Sequence, residues 1–260
     1  MANKPHFEAK HFQDGIQTME LSSWKWFADY IQKVLVDYKT YVFRGQRQAM
    51  WPLESTLDRV VRLSGGSISK FDRQAYLRQF MSAARGRRGP NPQELGGDEW
   101  WALGRHHGLA TPLLDWTESP FVALFFAFEE PRDKPGDRRA VWAIARAPIE
   151  EKTKALSAAT PAREGIRLIS PQTDENARLV SQRGLFTYGP PGMSHEDWVR
   201  TNFEGYGMQV LIKIVIPERV GDRAACLKFL NRANVNHLSL FPDLDGSAMY
   251  CQMSIEIKNY

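Results

Sequence analysis

The sequence predicts an α+β protein built on a mixed or antiparallel sheet. Helical periodicities gather mostly in the first half of the chain, and strand patterns mostly in the second. At 260 residues, with 43% hydrophobic and 12% aromatic residues, the chain can bury one sizeable core and is read as a single domain over 1–260. The first helix spans 22–37. Trp24, Phe27, Ala28, Ile31, Val34 and Leu35 recur at helical spacing behind Ser22 or Ser23. The β-formers Tyr41, Val42 and Phe43 open a strand that runs to Gly45. Leu77, Phe80, Met81 and Ala84 place a helix over 72–85, followed by the exposed basic loop "RGRRGPNPQ". A short helix at 98–108 takes Asp98 as its cap and stops at Gly108.

Residues 121–128 are apolar all round, so this helix is buried on most sides. Thr117 or Ser119 caps it, Asp115 is a further capping candidate, and Pro120 sits in its first turn. Ala123 and Ala127 leave a flat stripe that a neighbouring backbone can approach. A strand covers 140–146, and a long polar loop with one helix covers 150–178. Alternation makes 209–217 a strand covered on both faces, and a helix occupies 222–233. Met249, Cys251, Met253, Ile255 and Ile257 alternate with polar partners, which predicts a half-buried strand at 249–257.

Several classes of chemistry fall away. The chain has no Rossmann fingerprint, Walker loop, zincin helix or nucleophile elbow. His106 and His107 are adjacent, diverge by about 100° on a helix, and cannot share a metal. No metal site is expected. Two cysteines fit a reducing cytoplasm, and neither a signal peptide nor a membrane span is visible. Thirty-four basic against 30 acidic residues give a net +4, compatible with an anionic partner.

What remains is a set of polar residues in apolar settings. Arg44 ends a strand. Either it pairs with Asp115 or Asp243 inside the protein, or its planar five-donor fork waits in a cleft for a phosphate. Gly45 would let a ligand approach the backbone. Asp115 and Thr117 either cap the buried helix or, with its free amides, form an anion and ribose site beside the flat ring of Trp116. His107 reads as a helix-end histidine bonded to a carbonyl. Asp243 and Asp245 in "PDLDG" form either an Asx-type turn or a weak magnesium pair. Arg85, Arg87 and Arg88 are a solvated loop or a nucleic-acid contact.

"FRGQ" (43–46), "HHGLATPLLDWTESPFVALFFAF" (106–128), "RLVSQRGLFT" (178–187) and "LFPDLDG" (240–246) together resemble the FRG-domain family, in order over about 40–250. Ala110-Thr111-Pro112 stands where Pro-Thr-Arg is common in that family. Arg105-His106-His107 stands where Gln-His-Tyr is usual, so His106 matches the family histidine. A second resemblance is to ADP-ribosyltransferases. An aromatic-Arg-Gly strand end looks like their first motif, and Thr117 to Pro120 leading into A-x-x-x-A looks like their second. That resemblance implies a pair of mixed sheets around a cleft for NAD, taken as substrate. Arg44 would hold the pyrophosphate, and Asp115 to Ser119 would bind the nicotinamide ribose. Trp116 or Tyr41 would stack on the ligand. Gln182 or Glu256 stands nearest the third-motif glutamate, and His106 and Thr117 join the catalytic set. The FRG-domain resemblance implies a setting like that of bacterial toxin and phage-defence components, with an antitoxin as partner. The ADP-ribosyltransferase resemblance implies transfer to a macromolecule, and the basic loop at Arg85, Arg87 and Arg88 makes RNA or DNA a reasonable acceptor. The alternative is a non-catalytic nucleotide- or nucleic-acid-binding module, or a metal-dependent nuclease using His106, Asp115, Asp243 and Asp245.

Overall fold

The computed structural model describes residues 5–37, 40–132, 134, 136–160, 164–171 and 177–260. Its strands are β1 (Phe7–Gln13), β2 (Ile16–Leu21), β3 (Tyr41–Gln46), β4 (Leu113–Thr117), β5 (Arg138–Ala145), β6 (Arg167–Ile169), β7 (Gly184–Tyr188) and β8 (Leu211–Pro217). They form one sheet in the order β1-β2-β8-β5-β3-β4-β7-β6. Only β2 and β8 run parallel among these pairs, so the sheet is mixed and the fold is α+β. The helices are α1 (Phe27–Tyr30), α2 (Thr56–Leu63), α3 (Arg73–Ala83), α4 (Gly97–His106), α5 (Pro120–Phe128), α6 (Arg146–Ala159), α7 (Ala177–Ser181), α8 (His195–Asn202), α9 (Asp222–Arg232), α10 (His237–Leu240) and α11 (Leu244–Glu256).

Each sheet face buries its own core. Phe43, Val141, Ala143, Ile212 and Ile214 face α1, α5, α9 and α11. Val42, Trp116, Trp142 and Ile144 face the other way, toward Ile149 of α6 and Trp198 of α8. The period-2 alternation of β3 therefore sends Phe43 and Gly45 to one side and Val42, Arg44 and Gln46 to the other. Gln46 confirms this by accepting a 2.7 Å bond from Trp142 Nε1. A third cluster joins α2, α3 and α4 to Leu113, Ile169 and Phe186.

One seam of the sheet is thinly paired. β3 pairs with β5 over six residues, and β4 pairs with β7 over five. Between β3 and β4 there is a single pair, Phe43 with Thr117. The sheet parts there, and side chains fill the gap.

Several expectations are corrected. Residues 249–256 are helical, within α11, and not a strand, and Ile257 is the extended residue that ends the helix. Asp243 caps that helix by accepting from Gly246 N at 2.9 Å, and the buried pair Met253 and Ile257 lies four residues apart. The "LLDWT" segment is strand β4, so neither Asp115 nor Thr117 caps the buried helix; Ser119 does, accepting from Val122 N. The cap of α4 is Gly96, whose N–H donates to Glu99, and not Asp98; Asp98 instead pairs with Arg167. The polar 150–178 stretch holds much of α6 and all of β6, and its residues 161–163 and 172–176 lie outside the described residues. The β1–β2 hairpin went unread. The first helix is present as a 3-10 turn at Trp24–Trp26, then α1, then a π turn at Ile31–Leu35.

Candidate functional site

Beside the seam lies a cleft of about 560 Å³. β3 contributes Arg44, β4 contributes Asp115, and α4 contributes Arg105 and His106. The loop after β3 and helix α2 add Trp51, Glu54 and Arg59. The end of α5 adds Phe126, Glu129 and Glu130, and the opposite wall adds Arg178, Gln182 and Phe241.

Arg44 is paired and lines the cleft. Its Nη1 donates to the main-chain oxygen of Asp115 at 2.8 Å and to Oδ2 at 3.3 Å. It thereby takes the place of a ladder bond that the parted strands cannot make. Its Nε is buried with no hydrogen-bond partner. A buried donor left unmade is costly, and the neighbouring cleft is where a ligand could meet it. Asp115 is shared: Arg105 donates Nε to Oδ1 at 3.2 Å and Nη2 to Oδ2 at 2.5 Å, and its Nη1 goes to Thr56. Burial alone would raise the Asp115 carboxyl, but Arg105 and Arg44 together hold it below the usual carboxylate range. Two guanidinium groups against one carboxylate leave a net positive charge. Arg59, exposed at the rim, adds to it; it has no carboxylate partner among the described residues and lies near enough to oppose the charge of Arg44. Such a surplus in a concave site concentrates anions.

The other predicted site residues are placed as follows. Gly45 lines the cleft, and the side on which a Cβ would stand is filled by α5. A Cβ there would lie 2.0 Å from the oxygen of Ala123 and 2.6 Å from the nitrogen of Ala127, so the glycine exists to let α5 touch β3. Thr117 lines the cleft, while its hydroxyl donates to Gln182 O at 2.6 Å and accepts from Ser119 N at 3.0 Å. The start of α5 does not line the cleft, and the helix presents its far end instead. Trp116 lines the cleft but is only 3% exposed, so little of its ring faces the opening. Tyr41 lies off the cleft, with its hydroxyl on Gln209 O. His106 lines the cleft, with its ring held below its ordinary value by burial and by His107 and Arg178. Its neighbour His107 is exposed. Gln182 reaches the cleft while its amide donates to Leu240 O at 3.1 Å. Glu256 lies outside the cleft and pairs with Arg223. Asp243 and Asp245 both bind Arg178, and no acidic or histidine cluster able to hold a metal exists among the described residues. Arg85 and Arg88 flank a separate hollow beside Trp100, while Arg87 bonds Ala83 O.

Arg105, Arg59, Trp51 and Glu129 were missed by sequence reading. Trp51 is the accessible aromatic, 40% exposed, with Arg47 stacked 5.2 Å from its ring centre.

Behind the cleft, Trp116 Nε1 donates to Thr187 Oγ1 at 2.8 Å, and that hydroxyl lies 2.7 Å from His195 Nε2. This chain makes Nε2 an acceptor and the ring neutral. Burial, aided by Arg44, pushes the His195 imidazole down to about 3 from 6.5. A depressed value means that the unfolded chain binds the extra proton. The contribution of this group is complete above pH 6.5 and is lost as pH falls toward 3. The expected slope is up to about 1.4 kcal/mol per pH unit. Urea unfolding across this window, compared with His195→Gln, checks it; parallel pH profiles would refute the assignment.

Residues 39–135 match the family model described as FRG domain. Neither the curated proteins nor the solved structures gave a match. No helix among the described residues is long and apolar enough to cross a membrane.

Proposed function

We propose that the cleft binds NAD and that the protein is an ADP-ribosyltransferase with an ADP-ribosyltransferase-like arrangement of its parted sheet. One observation carries the reading: the buried, unpartnered Nε of Arg44, within an arginine cluster that outnumbers its carboxylate. A diphosphate would satisfy the fork bidentately, as no neutral ligand could. In the reaction, nicotinamide leaves with the electron pair of its bond to the ribose. The acceptor nucleophile then bonds to that carbon and releases a proton. Holding the diphosphate rigid while charge develops at the ribose is differential binding of the transition state. An accessible Trp51 offers a face for a base. The loop of Arg85, Arg87 and Arg88, outside the cleft, is a candidate nucleic-acid contact for the acceptor, and a toxin or defence role with an antitoxin partner extends the same reading.

A binding-only module is the second reading, favoured by one observation: none of the glutamates lining the cleft sits on a strand. The nuclease reading has no comparable support, since Asp243 and Asp245 are occupied by Arg178.

Ligand binding tests the proposal. NAD is expected to raise the thermal midpoint of the wild type, because it binds only the native state. Arg44→Lys keeps the charge but loses the fork, so its affinity for NAD and for inorganic pyrophosphate should fall by about ten-fold or more. Its folded structure should persist, because Arg105 still holds Asp115. Equal affinity in the variant, or no midpoint shift in the wild type, would sink the proposal. Nicotinamide release separates a transferase from a binding-only module.

A further inference from the structure

Four carboxylates line the cleft. Three of them are committed to arginines. Asp115 binds Arg44 and Arg105, Glu54 takes a two-pronged bond from Arg62, and Glu130 binds Arg47 at 2.7 Å. Glu129 differs. Its side-chain partner is His237, whose Nε2 lies 2.8 Å from Oε1. His237 is 2% exposed, and its Nδ1 is buried without a partner. A carboxylate only accepts, so Nε2 carries the proton and donates it to Glu129. The imidazole is fixed by Phe125 at 5.0 Å and Phe241 at 5.8 Å between ring centres. The backbone below is fixed as well, because Arg223 donates to Glu129 O.

The result is an anchored carboxylate with one oxygen bonded and the other without a protein donor among the described residues. The cleft is therefore bipolar. Arginines gather at β3 and α4, and one unspent anionic acceptor stands at the end of α5. Hydroxyl groups are the ligand groups that fit such an acceptor without a second charge.

We propose that Glu129, braced by His237, accepts the hydroxyls of a ribose whose diphosphate rests on Arg44. This rests on the reading that the cleft takes a nucleotide diphosphate. In this scheme Glu129 touches the ligand, and His237 is a positioning residue.

The test uses three probes of increasing length on the full chain: inorganic pyrophosphate, ADP and ADP-ribose. Wild type should bind ADP-ribose about ten-fold or more tighter than ADP, since a hydroxyl bonded to a charged acceptor is a strong contact. Glu129→Gln preserves the bond from His237 and removes the charge. It should erase the gain from the terminal ribose while leaving pyrophosphate binding unchanged. Glu129→Ala, checked for an unchanged thermal midpoint, should behave alike. If pyrophosphate binds but the terminal ribose adds nothing in wild type, the role of Glu129 is wrong and the anion site stands. The role is equally wrong if Glu129→Gln keeps the full gain. If wild type binds none of the three, the nucleotide reading fails and this inference fails with it.

Discussion

Gly45→Ala is expected to lower the unfolding free energy by about 3 kcal/mol or more. The change adds one methyl group and usually stabilises a strand by removing backbone freedom from the unfolded chain. Here the methyl would fall 2.0 Å from Ala123 O and 2.6 Å from Ala127 N. Both are backbone atoms of α5 and cannot rotate aside. The helix must back away from β3, and its other face packs in the core around Phe125 and Phe128, each 0% exposed. Urea unfolding should show a lower midpoint with an unchanged slope. A midpoint equal to that of wild type would mean that α5 yields freely.

Arg139→Met is expected to cost about 3–5 kcal/mol, the range for removing one member of a buried ion pair. The Arg139 side chain is 0% exposed and meets Glu218, itself 7% exposed. The same guanidinium donates to Ala127 O and to Glu130 O at 2.8 Å, and lies 4.9 Å from the ring centre of Phe128. Methionine fills the volume but strands a carboxylate and two carbonyl oxygens. Adding Glu218→Leu should restore part of the loss, by removing the stranded charge, but not the part owed to the carbonyls. Full recovery in the double variant would show that the carbonyls of α5 find other donors. Because Glu129 stands between those two carbonyls, Arg139→Met should also loosen the acceptor end of the cleft.

The legible parts of this protein were those whose signal lies within one element. The apolar run Phe121 to Phe128, the Ala123 and Ala127 stripe and the alternation of β8 are local patterns, and all three are realised. The pairing of Arg44 was also legible, since an internal strand-end arginine needs a partner, and Asp115 was one of the two expected. The hairpin of β1 and β2 was missed despite its signal. Asp14-Gly15 adopts φ of 50° and 77°, as a tight hairpin turn requires, but the polar edge strand before it hides the alternation. The last helix was misread because Met249, Cys251 and Ile255 are exposed, so apolar type did not report burial there. The site residues Arg59 and Arg105 sit on α2 and α4 and Glu129 just past the end of α5, and nothing in their own neighbourhoods says that those helices converge.

The parallel pairing of β2 with β8 sets an order of assembly. Ile16 meets Leu211, and Glu20 meets Val215. During synthesis the amino-terminal hairpin emerges early, yet the strand that covers its inner edge arrives only after most of the chain has been made. Until then β2 presents an open row of amides and carbonyls together with the apolar Ile16 and Met19. Closing so long a loop carries a large entropic cost before any contact rewards it. The sheet is closed only when β8 pairs with β2.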